Sequence, residues 1–467
     1  MNNLKTPIAQ TVVMGSVFFF TFTAYLTIQA FASDMYGETL GSNMATSLYL
    51  SFTFACFLSP SVTNKLGAKL TMFLGVLGYA CLVAASLAYF VDTSNNPDST
   101  SLQWLVILGG VMCGIGAALL WTAQGRLIMQ YSDGSDNGYL FSVFWALFNL
   151  SALVGGLTTF FYFGDSDSTG NTTLYVIFLA FVLLGAAATQ LLVPPSQLVR
   201  PNSDPGSQLP LISGEPNTAH PVQDEQSDSD WLTEMKETLS LFGTRRMMFL
   251  SLIFFYTGYN QPYQLNTFGN RWFTEKTVGL EMIVFYMSEI VGGLYIGAML
   301  DKSSGSKRLQ RQAAKKCLLI FFLVTALSFA LASLQEIPCA FSADDDCVTA
   351  IKYNDSKVLL PTAIYALWGF SDSQIQTYAY WLMGSLYENG ATQARAVGFY
   401  KMIQSLGWTV GFALVPGDRM EPLVQLFCTA GVFVVGIGLA WFELPEEQAK
   451  VRRKSGDRGG RSVSGGR

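Results

Sequence analysis

The chain has 467 residues and a net charge of −5; half of its residues are apolar and only 13% are charged. A soluble domain carries about 25% charged residues, so this composition excludes a multidomain soluble enzyme, whose surfaces would need more charge. The one histidine, His220, falls in a polar stretch, which argues against a histidine-based metal site or catalytic triad.

Apolar runs long enough to cross a bilayer recur along the chain. They cover about 8–30, 44–63, 70–91, 103–125, 139–163 and 173–193 in the first part. In the second part they cover about 247–264, 279–300, 317–334, 358–383, 394–415 and 422–442. The first run is too long for a signal-peptide core and reads as a membrane helix. Runs of this length must be helical, because lipid offers no partner to a free backbone group. The expected fold is therefore all-α, a polytopic membrane protein of about twelve transmembrane helices. With the N-terminus in the cytoplasm, 23 of the 28 Lys and Arg residues fall on the cytoplasmic side. That asymmetry supports an even helix count and cytoplasmic termini. It leaves open whether the membrane is the plasma membrane or an internal one. Asn171 and Asn354 begin glycosylation sequons in segments that this topology places outside. Cys339 and Cys347 share one polar loop and form a candidate disulfide if that side is oxidising.

A long polar break spans 194–246. Its first part is rich in Pro, Ser, Asp and Gln and reads as disordered. Trp231–Phe242 has apolar residues at helical spacing and reads as a short amphipathic helix on the cytoplasmic surface. The break divides the chain into bundles at 1–193 and 247–442, followed by a basic tail at 443–467. The halves echo each other. Asn64-Lys65-Leu66-Gly67-Ala68-Lys69 and Asp301-Lys302 are both tight, basic turns after the second helix of their half. Phe144-Trp145 is followed by Asn149, and Phe399-Tyr400 by Gln404, at corresponding places. Parallel repeats of this kind build the major facilitator fold.

Polar groups facing lipid are costly, so buried acids and amides should turn to a cavity or to another helix. Helices 3 and 9 carry none within the spans above, and helices 6 and 12 carry them only near their ends. This matches helices 3, 6, 9 and 12 lying outermost. Glu289, midway along helix 8, has two readings: cation or proton coupling, or a protonated packing residue. Asp372 and Gln376 lie four apart on one helix face. Asp372 is either a cation or substrate site, with Gln376 orienting it, or the cap of a kink near Gly369. Gln124 falls near the cytoplasmic mouth, where Arg126 reads as an interfacial anchor. Lys401 reads as a snorkelling residue or, away from water, as one needing Asp372 or Glu289 as a partner. Asn260, Gln261, Gln264 and Asn266 surround Pro262, whose missing N–H frees carbonyls for an outer gate or substrate contact. Asn149 and Gln404 complete the candidate set. There is no phosphate-binding loop, no metal-spaced Cys/His cluster and no nucleophile–base constellation, so no cofactor and no nucleic-acid partner are expected.

Several ordered blocks carry a likeness: Lys65-Leu-Gly67-Ala-Lys69, Gly114 to Gly125 around Trp121, Tyr256 to Asn266, Tyr380-Trp381-Leu-Met-Gly384 and Gly398 to Gly407. Through them the chain resembles the uncoordinated-93-like family, a divergent branch of the major facilitator superfamily, and its fungal and protist members in particular. The resemblance implies two six-helix bundles. It also implies either a transporter of a small polar solute or ion, or an accessory protein that regulates or escorts a membrane partner such as a potassium channel. The gating turns of that superfamily map onto Asn64, Lys65, Gly67 and Lys69, and onto Asp301 and Lys302. Asn64 stands where the superfamily usually has an acid, which leaves the gate of the first half without its carboxylate.

Overall fold

The computed structural model describes residues 2–30, 32–96, 99–132, 136–158, 172–199, 231–303, 306–341, 347–387, 389–415 and 419–445. The Asn171 sequon, His220 and most of the expected linker and tail lie outside these residues. Among the described residues there are twelve helices of 17 residues or more. The first six are α1 (Pro7–Ala30), α2 (Glu38–Leu66), α3 (Ala68–Asn95), α4 (Gln103–Tyr131), α5 (Asn137–Thr158) and α6 (Thr172–Ala188). The second six are α7 (Arg245–Gln261), α8 (Glu275–Asp301), α9 (Lys307–Ala340), α10 (Leu359–Leu386), α11 (Gly390–Leu414) and α12 (Pro422–Ala440). A linker helix, Trp231–Phe242, lies between the two sets.

Nine of these helices are both long and apolar enough to cross a bilayer, and α7 reaches that level together with the linker helix, from which it bends by 74°. α10 and α11 are 28 and 25 residues long. Buried polar residues, among them Asp372, Gln376, Lys401 and Gln404, lower their apolarity.

The packing repeats between halves. In the first half α4 packs on α2 and α3, α1 on α5 and α6, and α3 on α6; in the second, α10 packs on α8 and α9, α7 on α11 and α12, and α9 on α12. The halves meet through two equivalent seams, α2 with α11 and α8 with α5. The arrangement is that of two pseudo-symmetric six-helix bundles in an integral, multi-pass membrane protein. Close approach depends on small residues. At Gly114 a Cβ would collide with the Leu48 carbonyl and the Ser51 hydroxyl of α2, so glycine lets α4 lie directly on α2.

Two boundaries differ from expectation. The seventh helix does not stop near 264: Pro262 opens a π-helical stretch, Pro262–Phe268, and helix resumes to Trp272. A wide π turn accommodates the missing proline N–H without ending the helix. α9 runs well beyond 317–334 at both ends and so includes Glu336, which accepts from Trp272 Nε1 at 2.8 Å and pairs with Arg271 at 3.6 Å. Among the described residues α6, α9 and α12 supply none of the central cavity's lining, whereas α3 places Tyr79 on its wall. Cys339, in the last turn of α9, is disulfide-bonded to Cys347 in the loop that follows, and Asn354 in that loop is exposed.

Candidate functional site

A cavity of ≈ 420 Å³ lies between the halves. It reaches toward the end of the molecule that holds Asn266, Asn270 and Val278, opposite the linker helix. Its walls are largely aromatic. α4 and α5 supply Trp121 and Trp145, α8 supplies Tyr286, and α11 supplies Trp408. On the first-half side Gln29 donates to the Tyr49 hydroxyl at 2.6 Å, and that hydroxyl lies 3.1 Å from Tyr25.

The polar floor is built by α7, α8, α10 and α11. Asp372 is fully buried and accepts three amide bonds: from Asn260 Nδ2 at 3.1 Å, Gln261 Nε2 at 3.0 Å and Gln376 Nε2 at 2.9 Å. The Gln376 bond follows from the four-residue spacing on α10. The other two depend on α7 crossing α10. Gln376 Oε1 in turn accepts from Gln404 Nε2 at 3.2 Å and from the Tyr400 hydroxyl at 3.3 Å. Trp408 Nε1 donates to Gln261 Oε1 at 2.9 Å, tying the network to the cavity wall.

Lys401 does not snorkel and, among the described residues, pairs with no carboxylate. It is 1% exposed, donates to Gln404 Oε1 at 2.7 Å, and sits 4.0 Å from the centroid of Trp121 and 4.9 Å from that of Tyr400. A desolvated ammonium over aromatic faces gains about 2 kcal/mol or more by cation–π attraction, which replaces the missing acid.

Glu289 lies on the cavity wall and is 1% exposed, yet neither carboxyl oxygen has a hydrogen-bond partner. Asn149, Trp145 and Asp372 are its polar neighbours. None of them reaches bonding geometry, and both polar atoms of the Asn149 side chain and Trp145 Nε1 are also unpartnered. Buried polar groups are nearly always satisfied, and this cluster of unpartnered polar atoms adjoins the cavity.

Of the nine sequence candidates, Glu289, Gln261 and Gln376 line the cavity. Asp372, Asn260 and Gln404 stand directly behind, in the network. Asn149 adjoins Glu289. Gln124 and Gln264 are buried away from the cavity: Gln124 Oε1 accepts from Tyr380 at 3.3 Å, and the amide of Gln264 is unpartnered. Of the aromatic pairs noted in the sequence, Phe144-Trp145 and Phe399-Tyr400, only Trp145 lines the cavity.

The gating turns are also ordered. Gly67 has φ 77° and ψ 153°, and Lys69 Nζ donates to the Gln190 carbonyl at 2.7 Å. Asp301 accepts from the backbone N–H groups of Gly138, at 2.8 Å, and Tyr139, at the start of α5. Lys302, next to it, is exposed. Arg126 is not an interfacial anchor. It is 3% exposed and donates to the Thr63 carbonyl and to Asn64 Oδ1, both at 3.1 Å. A main-chain carbonyl and an amide give the guanidinium the acceptors that water would have supplied.

Comparison with known proteins agrees with this architecture. The family model described as "Ion channel regulatory protein UNC-93" matches residues 39–433. The chain belongs to the UNC-93 family. Relatives include UNC93-like protein 1 of Arabidopsis thaliana, 25% identical over 90% of this chain and 86% of the relative. UNC93-like protein MFSD11 of Xenopus laevis is 26% identical over 86% of this chain and 88% of its own. Solved structures share the fold at low identity. A bacterial homologue of the iron transporter ferroportin in an outward-facing state gives a TM-score of 0.62 at 11% identity, covering 93% of this chain and 99% of that one. The proton:xylose symporter XylE gives 0.62 at 14% identity, covering 95% and 97%. The UNC-93 chain is thus built on the major facilitator fold of those transporters.

Proposed function

We propose that this UNC-93 family member is a secondary transporter that moves a small polar solute or ion by alternating access between its two bundles. The observation that carries this reading is Glu289: a buried carboxyl with two unpartnered oxygens, on the wall of a cavity at the seam. A purely structural bundle has no use for that arrangement, because an intramembrane acid without a partner costs several kcal/mol. A cation or a proton at Glu289 relieves the cost.

The cavity chemistry narrows the solute class. Aromatic walls with carboxylates at the floor suit a cationic group, which gains from ring faces and from charge together. Among the described residues the site holds two acids, Glu289 and Asp372, and one basic side chain, Lys401, a balance that disfavours polyanions. In this reading Asp372 and its amides form the rigid base, Glu289 takes the cation or proton, and Asn266 and Asn270 form the outer gate. The greater share of Lys and Arg at the linker end supports a cytoplasmic position for that end. Asn354 and the Cys339–Cys347 loop then lie outside, as would the Asn171 sequon.

The test is purified protein in liposomes, with solutes first chosen by thermal stabilisation, since a ligand bound to the folded state raises its melting point. Uptake of a stabilising cation, abolished in Glu289→Gln, supports the reading. Absence of stabilisation by any cation, neutral solute or anion in the panel overturns it. The family's description as ion channel regulatory proteins favours a second reading, in which the scaffold regulates another membrane protein such as an ion channel. Recovery of one channel with the folded protein, together with no uptake, supports that role.

A further inference from the structure

We propose that Glu234 of the linker helix supplies, from outside the bundles, the gate carboxylate that α2 lacks at Asn64, and that the linker helix thereby holds the linker-side seam shut. The two halves solve one problem in different ways. In the second half, Asp301 at the end of α8 binds the first N–H groups of α5, placing negative charge at a helix N-terminus across the seam. In the first half the corresponding position is Asn64, which is neutral and completely buried. Beside it lie two buried cations, Arg126 of α4 and Arg395 of α11, 3% and 8% exposed. Two buried guanidinium groups need acceptors that offset the cost of their lost hydration.

Glu234 answers that cost. Its Oε2 accepts from Asn64 Nδ2 at 3.1 Å and from Arg395 NH2 at 2.8 Å, and the side chain is 1% exposed. Asn64 relays the charge: its amide donates to Glu234 while its Oδ1 accepts from Arg126 at 3.1 Å. One carboxylate therefore joins α2 and α4 of the first half to α11 of the second. The helix that carries it is itself anchored across the seam. Glu237 pairs with Arg395 at 2.6 Å. The Phe242 ring lies 5.0 Å from Phe399 of α11 and 6.1 Å from Phe57 of α2, centroid to centroid. An amphipathic helix lying loose on a membrane would not bury an acid. Here Glu234 and Thr238 both point into the bundles. Opening the seam on this side parts α2 from α11, and that separates Asn64 from Arg395 and breaks the bridge. Glu234 is thus a positioning residue for the conformational cycle, and the linker helix is its carrier.

Native Cys56 reports on the seam. It is a free, fully buried thiol on α2, and its backbone carbonyl abuts Gly398 of α11. The experiment measures the alkylation rate of Cys56 by a water-soluble maleimide, resolved by peptide mass spectrometry, on the full chain in detergent. Glu234→Gln is expected to raise that rate about tenfold, the scale of one buried charge-assisted bond. Asn64→Asp with Glu234→Gln returns the carboxylate to α2 itself and is expected to restore wild-type protection. Glu237→Gln, which alters a half-exposed partner, is expected to change the rate by less than about threefold. A Glu234→Gln protein as protected as wild type overturns the proposal. So does a double variant that stays open, because rescue is what a merely structural bond would not give. If Glu234→Gln does not fold, folding recovered in the double variant supports the proposal, and failure to recover overturns it. The readout needs no solute, so this result stands or falls separately from the transport reading.

Discussion

Asp372 and Glu289 are both acids inside an apolar bundle, yet they are held in opposite ways, and that difference is measurable. Asp372 accepts from three amides. Asp372→Asn leaves one acceptor oxygen and turns an NH₂ toward existing donors, so at least one buried donor loses its partner. That costs on the order of 1–3 kcal/mol, and we expect a clear fall in the melting temperature in detergent. Glu289 has no partner to lose. Glu289→Gln should therefore leave the melting temperature unchanged or slightly raised while removing stabilisation by cationic ligands. If Glu289→Gln melts as early as Asp372→Asn, Glu289 is a packing residue and the coupling role fails. At this scale the sequence exposes the acids well, because an acid in an apolar run has few bland explanations. It hides what surrounds them. Lys401 reads as a snorkelling residue because nothing in the chain order brings Trp121 over its ammonium. Which aromatic rings form the cavity wall is equally hidden, since a chain with 35 phenylalanines offers aromatic pairs everywhere.

Helices are the most legible elements here, and their interruptions the least. The apolar runs mark where lipid forces a helix, and the twelve long helices of the structure fall on them. The ends drift where polar residues are buried against neighbours rather than released to water. α7 passes Pro262 through a π turn, and α9 continues to a glutamate that finds Trp272 and Arg271. Tight turns are clearer, because they carry glycine. Gly67 joins α2 to α3 at φ 77° and ψ 153°, a region that is essentially glycine's own. A Cβ there would meet nothing within 4 Å, so any penalty is purely one of backbone. Gly67→Ala is expected to cost about 1–3 kcal/mol and to lower the melting temperature. Gly438 in α12 also has open space around its Cβ position but is helical. Gly438→Ala should be neutral or mildly stabilising. Equal behaviour of the two variants would show that the α2–α3 turn is not held as described.

For the whole molecule, the proposed transport cycle has the bundles, whose packing pairs repeat across the halves, move as bodies about the cavity. The α2–α11 seam is closed near the floor, where Thr53 Oγ1 and Ser405 Oγ lie 2.9 Å apart. Hydroxyls in contact across the seam make this pair the natural choice for an engineered cross-link. In a background with Cys56→Ser, the pair Thr53→Cys and Ser405→Cys should cross-link under mild oxidation and pin the linker side shut. Alternating access then predicts that oxidation stops solute uptake and that a reductant restores it, while either single variant ignores both treatments. Binding should persist in the cross-linked protein, because the cavity remains open at the end with Asn266 and Asn270. Cations should therefore still raise its melting temperature. Retained uptake in fully cross-linked protein would mean that α2 and α11 need not part, and the rigid-body account of this fold would be wrong. Loss of binding as well as uptake would instead mean that the link distorts the floor, where Lys401 and Gln404 lie on the same helix as Ser405. The melting-temperature arm is what separates a blocked movement from a damaged site.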